Sequence, residues 1–139
     1  MSQEENRRSL EESLQDALRE WRLEKKGGVG LGISGVFVFP AAFPGFAGHF
    51  PARPILPAIV QLAAVRHLAQ LGLAGKLQPT ACRQVKFRGI IQPQDEVVAR
   101  VDLCEQGKIR QARFSLRKAG AEVAGGVLEL ISGICPTEE

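Results

Sequence analysis

The sequence predicts an α+β fold, an antiparallel β-sheet curled around one long buried helix. Three observations carry that prediction. Ala58–Leu73 (AIVQLAAVRHLAQLGL) is apolar around most of its circumference, the mark of a buried helix, with Gln61, Arg66, His67 and Gln70 the exceptions. One β-rich run, Ile33–Phe39, precedes it and ends at Pro40. After Gly75 the chain alternates apolar and polar residues in runs joined by turns short enough for antiparallel hairpins. A chain of 139 residues that is 45% hydrophobic and 24% charged is long enough for one core and too apolar to stay disordered.

Residues 1–26 differ from the rest, with seven acidic and six basic side chains. Leu10, Leu14, Leu18 and Trp21 recur at helical spacing and predict a helix over about residues 10–26. Ser9 and Glu12 read as its capping box and Gly27-Gly28 as its stop. Its stripe either packs on its own domain or docks on a partner subunit. The organisation expected is a charged amphipathic helix and glycine linker over 1–28, then one domain over 29–135.

A proline-studded loop runs from Ala41 to Pro57, and Pro57 suits the first turn of the following helix. Downstream, strands are predicted at Arg83–Ile91, Glu96–Cys104, Lys108–Lys118 and Glu122–Ile134. The turns fall at Pro93-Gln94-Asp95, Gln106-Gly107 and Gly120, and Gly125-Gly126 predicts a bulge. Val97, Ala99, Val101 and Leu103 should share one face, as should Ala112, Phe114 and Leu116.

The formal net charge of +3 is too mild to argue for nucleic acid. Cys82, Cys104 and Cys135 form no C-x-x-C pair, which speaks against a disulfide framework or zinc site and for a reducing cytoplasm. The N-terminus has no apolar signal core, and no run of about 18 apolar residues offers a membrane span.

The segment richest in chemistry is Gly48-His49-Phe50-Pro51-Ala52-Arg53-Pro54-Ile55-Leu56-Pro57, leading into the buried helix. Prolines lock φ, so such a loop holds an imidazole in one orientation. This GHFPxxPxLP stretch resembles the signature of the hot-dog-fold 3-hydroxyacyl-acyl-carrier-protein dehydratases, particularly those of lipid and polyene biosynthesis clusters. Val85-Lys86-Phe87-Arg88 and Pro93-Gln94-Asp95 resemble the family's next strand and its Pro-x-Asp bend. The resemblance covers roughly residues 33–131.

The resemblance implies a β-elimination with His49 as base on the α-carbon of a 3-hydroxyacyl thioester. The backbone N–H of Ala58 would hold the thioester oxygen, where a helix N-terminus offers unpaired donors and a positive dipole end. Phe50, Pro51, Pro57, Gln61 and Ala63 would line the substrate, and Arg53 would meet the carrier or its phosphopantetheine. Ala52 and Ala58 stand where the family commonly has glycine. The larger departure is Ala63, fourteen positions after His49, where the family has its acid. Between Ala41 and Pro93 the chain has no carboxylate at all. A missing general acid costs about 10²–10⁴-fold in rate. His67, one turn beyond Ala63, could donate a proton in its place, or could be a core or contact histidine.

Three readings follow. The first is a dehydratase with an unconventional acid. The second is a lapsed acyl-binding subunit, with an active homologue supplying the acid across a heterodimer. The third is a hot-dog thioesterase. The expected partner is an acidic acyl carrier protein, met by Arg83, Lys86, Arg88, Arg110, Arg113 and Arg117. The substrate would ride on its phosphopantetheine or on CoA, with no metal and no cofactor. Open sheet edges and the resemblance both imply a homodimer or larger homo-oligomer with sites at the interface.

Overall fold

The computed structural model describes residues 3–25, 30–46 and 54–132. In chain order these form α1 (Gln3–Ala17), β1 (Leu18–Lys25), β2 (Leu31–Val38), a short 3-10 helix (Pro44–Phe46), α2 (Ala58–Leu73), β3 (Leu77–Phe87), β4 (Glu96–Gln106), β5 (Ile109–Lys118) and β6 (Ala121–Ser132). The six strands make one sheet in the order β1-β2-β4-β5-β6-β3, with every pairing antiparallel. The predicted strand, buried helix and meander are therefore present, and α2 has the predicted bounds.

The alternation in each strand decides which residues enter the core. Val97, Ala99, Val101 and Leu103 of β4 are buried, as are Ala112, Phe114 and Leu116 of β5. They face α2, whose Val65, Leu68 and Ala69 are fully enclosed. The sheet and helix approach closely at Gly72, where a Cβ would lie 2.5 Å from Ile33 Cδ1.

The N-terminal segment departs from the helix predicted over residues 10–26. The helix starts at Gln3, so Ser9 lies inside it rather than at its cap, and it ends at Ala17. Leu18–Lys25 is instead a strand paired along β2, from Leu18 opposite Phe37 to Lys25 opposite Leu31. Leu18-Arg19-Glu20-Trp21-Arg22-Leu23-Glu24 can be threaded at either period, and the open edge of β2 favours the extended form by supplying backbone partners. Leu14, Ala17 and Leu18 are buried, so the segment packs on its own domain. Gly27 and Gly28 lie outside the described residues.

Two further boundaries moved. β3 covers Leu77–Phe87 rather than Arg83–Ile91 and contains Pro79, which an edge strand tolerates because one row of its N–H groups has no ladder to serve. At the end of α2 the left-handed residue is Ala74 rather than Gly75. The predicted Gly125-Gly126 bulge is seen as two shifts beside it: Gln84-Val85 of β3 is the extra length between the Arg83–Val127 and Lys86–Gly125 pairs, and Val123 is unpaired against β5. Gly126 has φ +154°, and a Cβ there would lie 2.7 Å from Val85 Cα. Since backbone cannot swing aside as a side chain can, Gly126→Ala should destabilise the fold by roughly 2–3 kcal/mol. Urea unfolding against wild type checks this; an unchanged midpoint would refute it.

Candidate acyl-thioester site

The long loop between β2 and α2 is held at both ends by one turn. Gln94 N–H donates to Phe39 O at 2.8 Å where the loop begins, and Leu56 N–H donates to Ile91 O at 2.8 Å where it ends. That turn is braced in its own right. Asp95 Oδ2 accepts Gln92 N–H at 2.8 Å and Lys118 Nζ at 2.9 Å, and Lys118 Nζ also donates to Ile90 O. Burial works to raise the Asp95 pKa, but the Gln92 N–H and the Lys118 ammonium outweigh it and hold the carboxyl below its ordinary range. Packing supports the entry side, where Phe37, Phe39, Phe43 and Phe46 form a chain of ring contacts, with centroids 4.9–6.0 Å apart.

His49, Phe50, Pro51, Ala52 and Arg53 lie outside the described residues. The loop's exit is described, and it sets up the helix start. Pro57 is the N-cap, at φ −66° and ψ 155°, and its carbonyl accepts the N–H groups of Val60 and Gln61. Ala58 and Ile59 N–H precede the first rung a helix can form, and the first turn carries no acidic side chain to quench its dipole. The Ala58 N–H thus stands at a helix N-terminus to which the described residues supply no side-chain cap.

Each polar exception on α2 has its own direction. Gln61, 4% exposed, donates from Nε2 to Leu56 O at 3.1 Å and ties the helix to the loop exit; its Oε1 has no partner. Gln70 Oε1 accepts the Leu77 N–H at 2.9 Å and anchors β3. His67 Nε2 lies 2.7 Å from Gln15 Oε1, so the ring N–H donates to α1. Arg66 Nη2 is 3.9 Å from Glu11 Oε2, also on α1.

Ala63 lines an apolar cavity of about 350 Å³ between α2 and the edge strand β3. Ile59, Leu62, Ala63 and Arg66 form the helix wall, and Pro79, Thr80, Ala81 and Cys82 the strand wall, with Leu128 of β6 behind. Among the described residues no carboxylate lines it. His67 is not among its lining residues either, because one position along a helix turns a side chain by about 100°. Burial lowers the His67 pKa; Glu11 opposes that and Arg66 adds to it. A half-buried imidazole, kept neutral and already donating to Gln15, is poorly placed to serve as an acid beside Ala63.

The six predicted basic residues do not form one patch. Arg83 pairs with the buried Glu129, Arg110 with Glu105, and Arg117 donates to Gly120 O. Lys86, Arg88 and Arg113 instead join Arg100, Asp102 and Glu122 around a groove of about 620 Å³. Its floor includes Gly125 and Gly126, which project no side chain. Cys82 and Cys104 are free and exposed; Cys135 lies outside the described residues. Among the described residues no helix is long and apolar enough to cross a membrane.

A six-stranded antiparallel sheet rolled about one buried helix defines the hot-dog class. The model of the ApeI-like family, described as ApeI dehydratase, matches residues 32–127, and the chain belongs to that family. Among curated proteins it resembles the 3-hydroxyacyl-[acyl-carrier-protein] dehydratase FabZ of Rickettsia massiliae. Identity is 34% over 82 residues, which are 53% of this chain and 57% of that one. The Rickettsia canadensis FabZ is 40% identical over 73 residues, covering 47% and 49%. The chain thus spans about half the length of the curated relatives it matches. Among solved structures, the dehydratase heterocomplex ApeI:P from Xenorhabdus doucetiae superposes with a TM-score of 0.65 at 22% identity, covering 82% of this chain and 96% of that one. The fluoroacetyl-CoA thioesterase FlK superposes at 0.63 with 19% identity, covering 78% and 90%. These likenesses show the shared fold.

Two titrations check the local electrostatics. A depressed carboxyl pKa stabilises the fold above the ordinary Asp value of about 3.9 and loses that contribution as pH falls through its own lower value. The advantage of wild type over Asp95→Asn in urea unfolding should therefore be full at neutral pH and shrink in acid. A difference independent of pH would refute the pairing. For His67 the depressed value means that the unfolded chain binds the proton better, so stability falls as pH drops below about 6.5. The His67 ring resonances should titrate below that value by NMR, and a midpoint at or above it would overturn the neutral assignment.

Proposed function

We propose that the chain is a dehydratase of 3-hydroxyacyl thioesters, a hydro-lyase acting on substrates carried by acyl carrier protein. The observation that carries this reading is membership of the ApeI-like dehydratase family over residues 32–127. The apolar cavity between the Ile59–Arg66 flank of α2 and β3 supports it. In the reaction His49 removes the α-proton and the Ala58 N–H stabilises the enolate oxygen. The C3–O bond then breaks, and the departing hydroxide takes up a proton to leave as water.

No carboxylate among the residues lining the cavity can provide that last proton. This favours a second form of the reading, in which another subunit supplies the acid. The resemblance to a dehydratase described as a heterocomplex points the same way. An open β3 edge and Ile59, a large apolar side chain 73% exposed beside the cavity, suit a second hot-dog subunit. A homodimer is the simpler case, and a heterodimer with an acid-bearing homologue is the case that completes the chemistry.

The test is incubation of the purified protein with 3-hydroxyacyl thioesters of several chain lengths, following enoyl product by mass spectrometry. Product that His49→Ala abolishes establishes the dehydratase. Ala63→Glu should then raise the rate by about 10²–10⁴-fold, restoring a positioned acid. No product at any length, with acyl carrier protein still bound, assigns the chain to the acyl-binding subunit instead.

A further inference from the structure

The cavity described above is apolar except at one end. Along α2 its wall reads Ile59, Leu62, Ala63 and then Arg66, the one charged residue among the described residues lining it. The guanidinium is poorly served by its own chain. Its Nε is buried without a hydrogen-bond partner, and its carboxylate neighbour Glu11, at 3.9 Å, is too distant to accept a hydrogen bond. The side chain as a whole is nonetheless 33% exposed, so its outer Nη groups, rather than the enclosed Nε, can donate to an oxygen acceptor brought along the cavity.

Position fixes which part of a ligand would do so. Arg66 lies eight residues beyond Ala58, about 12 Å along the helix axis. An acyl group whose thioester oxygen rests at the Ala58 N–H and whose chain follows Ile59, Leu62 and Ala63 therefore brings its far end to Arg66. We propose that Arg66 is a specificity-determining residue, selecting medium-length acyl groups whose distal end carries an oxygen acceptor, an ionised carboxylate above all. The inference rests on the acyl-thioester reading for the direction of the chain, and it requires no turnover.

The experiment compares two unreactive probes on the full chain by calorimetry, nonanoyl-pantetheine and azelaoyl-pantetheine, which differ by a terminal carboxylate. Wild type should bind the azelaoyl probe about 10–100-fold more tightly, the return expected for a buried charge-assisted hydrogen bond. Arg66→Met should abolish that preference while leaving the nonanoyl affinity within a few-fold, and Arg66→Lys should keep part of it. Equal binding of the two probes by wild type overturns the proposal. So does failure of both to bind, or a preference that survives in Arg66→Met. Should Arg66→Met change only sedimentation, the residue belongs to a subunit contact and the proposal falls. Failure of the dehydratase reading shows elsewhere, as absent enoyl product, and leaves a probe preference intact.

Discussion

The structure depends on keeping α2 out of water. A sixteen-residue helix with few polar positions must be covered on nearly every side, and each neighbouring element supplies part of that cover. β2 and β4 bring Ile33, Ala99 and Val101, all fully buried, against one side. α1 brings Leu14 and Ala17 from another direction. Close approach is needed for this to work, so the contacts are between small and large residues: Gly72 against Ile33, and Gly35 against Leu18 and Leu68. Three of the four polar side chains on α2 hold this cover in place, since Gln61, His67 and Gln70 reach respectively to the loop exit, α1 and the start of β3, while Arg66 comes only within 3.9 Å of Glu11.

The cavity is what this arrangement leaves open. Antiparallel order places β3 at the sheet edge, where it is largely exposed, and the Ile59–Leu62–Ala63–Arg66 flank of α2 faces Pro79–Cys82 there, with Leu128 behind. In this setting Ala63 has a physical consequence beyond a missing acid. A carboxylate on this apolar wall would carry a desolvation cost unless paired, whereas alanine carries none and widens the space. Alanine therefore keeps this wall apolar and undemanding at the position where the resemblance expects an acid.

Much of this was legible in the sequence, for identifiable reasons. The bounds of α2 and the faces of β4 and β5 follow from strong periodicity, which reports burial directly. The region from Leu18 to Lys25 is ambiguous locally because Leu18 and Trp21 fit a helical stripe, while Trp21-Arg22-Leu23-Glu24 also alternates. What decided the matter was the free edge of β2, which is not written locally. β3 was placed late because an exposed edge strand containing Pro79 carries almost no apolar alternation. Ala63 was recognised by its distance from His49. In the sequence Arg66 is visible only as a polar interruption of an apolar helix; its place in the cavity depends on β3 packing alongside, and its weak pairing on the 3.9 Å between its Nη2 and Glu11.

Arg66 and His67 show how one step along a helix divides structure from chemistry. Rotation by about 100° carries His67 to α1, where its N–H is used by Gln15 and burial keeps it neutral. The same step leaves Arg66 on the cavity, where a guanidinium with several N–H donors and no acceptor can orient a ligand. The described lining thus combines an apolar wall with a fixed positive charge and no carboxylate. If the family's reaction runs here, its second proton must come from outside that lining, and the exposed β3 edge with Ile59 beside it is the side of the molecule from which a second subunit would reach the cavity. Assembly would then be part of the catalytic mechanism, because no acid stands among the described residues that line the cavity.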